Sequence, residues 1–201
     1  EFQRPAVQLP AIFILEYALA KLWMSLGIEP AALIGHSLGE NTAACVAGVL
    51  SFEDALGLVT LRGRLFERVP EGGMVSVPLS AEALQPLLGD DLDLATINGP
   101  EFCTVSGPVA ALERLEGLLA EREIDAKRVP ISIAAHSRML APVLDDFRAY
   151  LRSIKLNKPA IPFVSNRTGT WITDREATDP DYWVEHLRHT IRFADGIGTL
   201  V

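Results

Sequence analysis

Serine, histidine and arginine carry the reactive chemistry open to this chain, and one serine stands apart by its surroundings. Ser37 lies in Gly35-His36-Ser37-Leu38-Gly39, a G-x-S-x-G pentapeptide. The apolar run Ala31–Ile34 precedes it and a helical pattern from Glu40 to Val49 follows. In such an elbow the backbone reverses sharply between strand and helix. Gly35 and Gly39 are read as positions where a Cβ would collide, and the serine hydroxyl is held at a helix N-terminus that favours a developing oxyanion. This arrangement suits nucleophilic attack on a carbonyl.

A serine nucleophile needs a base within hydrogen-bond reach. His36 precedes Ser37 on the strand, so its side chain is expected on the opposite side, in a structural role. His186 and His189 stand three apart on a late helix with no third ligand at metal-binding spacing. They read as a solvated helix face, and no metal site is expected. His136, in Ile133-Ala134-Ala135-His136-Ser137, falls where the chain re-enters the main core after an inserted unit. It is expected at the mouth of a cleft and is the candidate base. No acid stands out as a third partner, since Asp145 and Asp146 read as the surface of a helix. A backbone carbonyl accepting from Nδ1 can orient the ring instead, so a Ser–His dyad is expected. Arg62 is either an ordinary helix-surface arginine or a fork for a substrate carboxylate, and spacing leaves both readings open. Arg64 and Arg68 read as surface residues.

The elements that must position these residues follow from periodicity and punctuation. A helix is predicted from Pro10 to about Leu26, with Ile12, Leu15, Leu19, Leu22 and Trp23 on its buried face and Gly27 as its stop. Ala31–Ile34 is predicted as a buried strand. Ser51, with Asp54 three residues on, marks the start of a helix over about 52–69. From Glu71-Gly72-Gly73 the character changes. Strands are predicted at 74–79, 92–97, 102–106 and 126–131, with helices at 81–88 and 109–122. That order, β-α-β-β-α-β, is the ferredoxin-like motif. A buried strand at 161–164 and a helix at 180–187 follow. The expected architecture is α/β: a core with a parallel sheet, residues 1–71 and 133–201, carrying an inserted subdomain at 72–132.

With 201 residues and 49% hydrophobic content the chain can bury a sizeable core. A net charge of -8 disfavours nucleic acid as a partner. Two cysteines, Cys45 and Cys103, are too few for a disulfide framework and fit a cytoplasmic setting. No membrane span is expected, because the most apolar stretch, Ala11–Leu26, carries Glu16 and Lys21. No cationic leader is read at the start, and the opening Glu1-Phe2-Gln3 without Met reads as the edge of a longer polypeptide.

Taken together, these residues closely resemble the acyltransferase domain of type I polyketide synthases, relatives of malonyl-CoA:acyl-carrier-protein transacylases. The resemblance spans the chain through ordered motifs. They are Gly35–Glu40, Leu61-Arg62-Gly63-Arg64, Ala135-His136-Ser137, Ser165-Asn166-Arg167-Thr168-Gly169, Asp181-Tyr182-Trp183 and Ile191-Arg192-Phe193-Ala194-Asp195. It implies a hydrolase-like α/β core with a ferredoxin-like subdomain. It makes Ser37 the acyl-accepting nucleophile, His136 base and then acid, and Arg62 the partner of a malonyl-type carboxylate, with the Leu38 N–H as half of the oxyanion hole. The implied reaction is ping-pong from an acyl-CoA to the phosphopantetheine thiol of an acyl carrier protein, beside neighbouring synthase domains such as a ketosynthase. No tightly bound cofactor is implied.

On extender choice, Leu38 after the nucleophile points to malonyl. The segment Ile133-Ala134-Ala135-His136 matches neither the HAFH of malonyl nor the YASH of methylmalonyl members, and Ala135 leaves room beside the substrate α-carbon. Malonyl is favoured. The family begins with a strand and a Gly-Gln-Gly loop that this chain lacks, so the piece alone is expected to be poorly active. Rival readings are a free-standing serine esterase or thioesterase, which the elbow equally supports, and a non-catalytic docking fragment. A basic carrier-protein patch is sought at Arg122, Lys127 and Arg128, or at Arg188 and Arg192.

Overall fold

The strand that leads into the elbow is only two residues long. In the computed structural model, which describes residues 4–201, β1 (Leu33–Ile34) pairs in parallel with β6 (Phe163–Val164). Glu1, Phe2 and Gln3 lie outside the described residues. Both residues of β1 are half-buried rather than buried, and among the described residues β6 is the one strand paired with them. The sheet is parallel, as an α/β fold requires, since the chain crosses over a long connection between its two strands.

α1 (Pro5–Ser25) begins five residues earlier than the pattern predicts, with Pro5 in the first turn and Pro10 accommodated inside the helix. The predicted inward face is also corrected. Ile12, Leu15, Leu19, Leu22 and Trp23 are all exposed, and Phe13 is the buried residue. Phe13 stacks on Phe52 and Tyr17 meets it tilted, at ring-centroid distances of 5.7 and 4.8 Å, which lays α1 along α3 (Phe52–Phe66). By length and composition α1 could cross a bilayer. Its stacking on α3 and the hydrogen bond from Thr42 Oγ1 to Glu16, 2.6 Å, seat it against the core.

α2 (Leu38–Val46) follows the elbow. At the start of α3 the Ser51 hydroxyl accepts from Asp54 N–H at 3.0 Å, the N-cap that the sequence signals. The following segment forms an antiparallel sheet of β2 (Gly73–Val77), β3 (Asp93–Gly99), β4 (Phe102–Gly107) and β5 (Lys127–Arg128) in the order β3-β4-β2-β5. α4 (Ala81–Leu84), which runs into a single 3₁₀ turn at Pro86, and α5 (Val109–Glu121) cover it. This is the βαββαβ unit expected, with its last strand cut to two residues because Pro130 ends the ladder. A 3₁₀ segment at Arg138–Val143 then leads into α6 (Leu144–Ser153). α7 (Asp174–Ala177) starts with a full capping box, Thr173 to Glu176. α8 (Pro180–Arg188) and α9 (Phe193–Leu200) complete the chain.

Two hydrophobic clusters result. One gathers α1, α2, α3, α6 and α8 around Phe13, Leu58, Phe147, Phe163 and Trp183, and the other lies between the four-stranded sheet and α5. β3 ties the two, for Ile97 N–H donates to Ile191 O at 2.8 Å and Ile191 N–H to Ala95 O at 2.9 Å.

Candidate active site

At the end of β1 the backbone enters a conformation that L-residues seldom adopt. Ser37 has φ 53° and ψ −107°, and it caps α2. Gly35 makes the turn possible, since a Cβ there would stand 2.0 Å from the Gly39 carbonyl carbon. Gly39 differs from expectation: a Cβ on it would meet nothing within 4 Å. Only one of the two elbow glycines answers to a collision.

Ser37 Oγ lies 2.7 Å from His136 Nε2, across 99 residues of chain. His136 also has a positive φ, 56°, so two of the three described non-glycine residues with positive φ form this pair. Such backbone strain persists where the surroundings over-determine it. The ring of His136 is buried beside the Arg62 charge, and burial first, then Arg62, pull its pKa down to about 3. The backbone carbonyls of His186 and His189 face the ring and partly offset this, although neither closes a well-formed hydrogen bond to Nδ1. The imidazole is therefore neutral at pH 7, with Nε2 the acceptor for the serine hydroxyl.

Arg62 is buried rather than on the surface of α3. Its Nη2 donates to Ser37 Oγ at 2.8 Å and its Nη1 to Asn41 Oδ1 at 3.2 Å, while the guanidinium lies 5.4 Å over the Phe66 ring. Its Nε has no partner among the described residues. Burial alone lowers its pKa, to about 10, with no carboxylate opposing the shift. The guanidinium stays charged at neutral pH, and among the described residues no carboxylate forms an ion pair with it.

These three residues line one cleft of about 950 Å³ between the two hydrophobic clusters. Leu38, at the first position of α2, is on its wall with Ile133 and Ala135. Ala134 faces away into the core, and a Cβ on Gly72 would meet its own at 2.8 Å. His36 departs from expectation, for it lines the same cleft as Ser37, where its Nε2 meets Asn98 Oδ1 at 2.8 Å and its ring meets Phe193 edge-on. Asp145 and Asp146 lie on α6, paired with Arg148 and Arg68, as surface acids do.

His186 corrects the reading of a solvated helix face. It is buried, edge-on to His136 with ring centroids 6.2 Å apart, and its Nε2 is 3.5 Å from Glu40 Oε2. His189, by contrast, is exposed in part and pairs with Glu185. Among the described residues no group of three or more His, Cys, Asp or Glu could hold a metal ion.

Beneath the elbow lies a buried polar network that motif reading misses. Glu40 accepts from Asn166 N–H at 2.6 Å and from the Tyr182 hydroxyl, which is 2.7 Å from Ser165 Oγ. Ser165 Oγ accepts from the Tyr182 hydroxyl and also from the N–H groups of Arg167 and Thr168, at 3.1 and 3.2 Å. Burial, largest of the causes, pushes the Glu40 pKa up to about 8 against the pull of Tyr182 and Asn166. The Asn166 carboxamide in turn donates to Gly35 O and accepts from Ser37 N–H, both at 2.8 Å. The signals available were the Gly35–Glu40, Ser165–Gly169 and Asp181-Tyr182-Trp183 motifs, in which Glu40, Ser165, Asn166 and Tyr182 carried no assigned role.

The family described as acyl transferase domain matches residues 1–200. The PKS-NRPS hybrid synthetase acdB of Aspergillus candidus is 40% identical over 204 residues, covering 98% of this chain and 8% of that protein. The solved acyl transferase domain of SpnD, in complex with 2-(pent-4-yn-1-yl)malonyl, superimposes with a TM-score of 0.92 at 48% identity over 95% of this chain and 47% of its own. The acyltransferase domain from the second module of the salinomycin polyketide synthase gives 0.94 at 45% identity, over 99% and 48%. The chain thus spans about half the length of these solved relatives.

Proposed function

The chain belongs to the acyl transferase domain family, and from that premise we propose that it carries a malonyl-type acyl group from CoA, through Ser37, to the phosphopantetheine thiol of an acyl carrier protein in polyketide assembly. The observation that carries the reading is the buried, uncompensated guanidinium of Arg62, 2.8 Å from the nucleophile. A buried cation without a counter-ion is costly, and an acyl group bearing a free carboxylate supplies one at the point of reaction. That the SpnD domain was solved with a substituted malonyl supports the same class of acyl group.

In the forward step the Ser37 hydroxyl proton passes to His136 Nε2 as Oγ bonds the thioester carbonyl carbon. The oxyanion is met by the Leu38 N–H at the start of α2. The C–S bond then breaks, and the imidazolium returns its proton to the CoA sulfur. In the second half the carrier thiol gives its proton to His136, its sulfur attacks the Ser37 ester, and Oγ leaves with that proton. Every step uses the same two side chains in opposite senses.

Leu38 favours malonyl, while Ala135, which leaves room beside the substrate α-carbon, works against that choice, and a pocket discriminates one methyl by only about 1–3 kcal/mol. We take residues 1–71 with 133–201 as one unit and 72–132 as the other, in keeping with the two hydrophobic clusters. Acyl-CoA, a carrier protein and neighbouring ketosynthase are the partners of this reading, without a tightly bound cofactor. Two free buried cysteines suit the cytoplasm.

Intact-mass analysis tests the proposal. Malonyl-CoA is expected to add one malonyl mass to the protein and none to Ser37→Ala, and a holo carrier protein to remove that mass onto its own thiol. Rapid loss as free malonate without a carrier, or an adduct that survives in Ser37→Ala, would contradict it.

A further inference from the structure

The strained backbone of Ser37 needs something to hold it, and α2 alone does not. Intrahelical bonding leaves the N–H of a cap residue and the carbonyl two residues before it without helical partners. One side chain answers for both. The Asn166 carboxamide donates through Nδ2 to Gly35 O and accepts through Oδ1 from Ser37 N–H, at 2.8 Å each, so it spans the elbow from before the serine to the serine itself. Asn166 is buried. Its own backbone is fixed from the helix that the elbow starts, since its N–H donates to Glu40 Oε2 at 2.6 Å. Glu40 is held by Tyr182 in turn, with His186 3.5 Å away.

We propose that Asn166 is the positioning residue of the nucleophile: its carboxamide clamps Gly35 and Ser37 in the conformation that aims Ser37 Oγ at His136 Nε2, and Glu40 braces that clamp. This rests on the reading of Ser37 as the acyl-accepting residue. The clamp is chemically directional, needing a donor toward Gly35 O and an acceptor toward Ser37 N–H. A carboxamide supplies both, and so does a neutral carboxylic acid, whereas a carboxylate supplies two acceptors and repels the Gly35 carbonyl. Asn166→Asp therefore loses the clamp when ionised and regains it on taking up a proton.

The experiment measures the rate at which an alkyl fluorophosphonate labels Ser37, which reports the aim of the hydroxyl without acyl-CoA or carrier protein. Native protein, Ser37→Ala, Asn166→Ala and Asn166→Asp are compared at pH values where circular dichroism shows each folded. Asn166→Ala is expected to label roughly 10²-fold more slowly, the cost of an aim lost by about 1 Å. The rate of Asn166→Asp, divided by the native rate at each pH, is expected to climb as the pH falls, while the KM for malonyl-CoA stays within a few-fold of native. A folded Asn166→Ala that labels at the native rate overturns the proposal. Should that variant not fold, an Asn166→Asp ratio that is flat with pH overturns it equally. Absence of labelling in native protein indicts Ser37 as nucleophile rather than the clamp.

Discussion

At the scale of single residues, the site sets a neutral base against an unneutralised cation. The proposed reaction requires unprotonated His136, whose pKa is depressed to about 3 by burial and Arg62. The acid limb of kcat/KM for acylation is therefore expected well below the ordinary histidine range near 6.5. A bound carboxylate neutralises Arg62 and removes one of the depressing causes, so the limb of kcat is expected at higher pH than that of kcat/KM. Single-turnover acylation across pH 4–8 is therefore expected to show no kcat/KM limb at about 6.5, and a limb there contradicts the assignment. Ser37 and His136 stood out in the sequence by their neighbours, whereas the spacing of Arg62 left both of its readings open and only the family resemblance singled it out. Glu40, Asn166 and His186 did not stand out, because what makes them matter is contact across 126 residues or more, or across the interior. A buried histidine and a solvated one look alike at i, i+3 spacing until the other side of the helix is known.

The elements transmit this geometry through a few close approaches. Gly35→Ala would place a Cβ 2.0 Å from backbone that cannot retreat, so it is expected to destabilise by on the order of 4 kcal/mol or more, or to prevent folding. Gly39→Ala, whose Cβ meets nothing within 4 Å, is expected to leave stability within about 0.5 kcal/mol. Urea unfolding of both variants separates these outcomes, and comparable losses would refute the packing of the elbow described above. The elbow, the βαββαβ order and the Ser51 cap could be read from sequence, as each has local punctuation. α1 could not be oriented, because apolar residues surround most of its circumference and periodicity then selects no face. The cut of β5 to two residues was readable in principle from Pro130, which cannot donate to a ladder.

Over the whole molecule, buried ionisable groups set opposing pH slopes. His136 and His186 are held neutral in the fold, whereas the unfolded chain protonates them below about 6.5, so their contribution to stability is present above that pH and lost as pH falls. Glu40 behaves in the reverse sense. The fold keeps its proton up to about 8 against an ordinary value of 4.5, so its contribution is present below 4.5 and lost as pH rises toward 8. Stability is expected to peak between these limbs, near pH 6.5. Glu40→Gln is expected to abolish the decline between pH 6.5 and 8 while keeping the acid limb, as urea midpoints measured against pH would show. An unchanged alkaline decline would place its cause elsewhere.

The same organisation puts Ser37 in a cleft between two hydrophobic clusters joined through β3, with Arg62 the one buried cation beside it among the described residues. The most direct test of that account is a competition of malonyl-CoA, methylmalonyl-CoA and acetyl-CoA for Ser37, read by intact mass at a single turnover in native protein and Arg62→Ala. Native protein is expected to take the carboxylated acyl groups, malonyl foremost, and Arg62→Ala to shift toward acetyl. Equal acylation by acetyl-CoA in native protein, or an unchanged preference in Arg62→Ala, would contradict it.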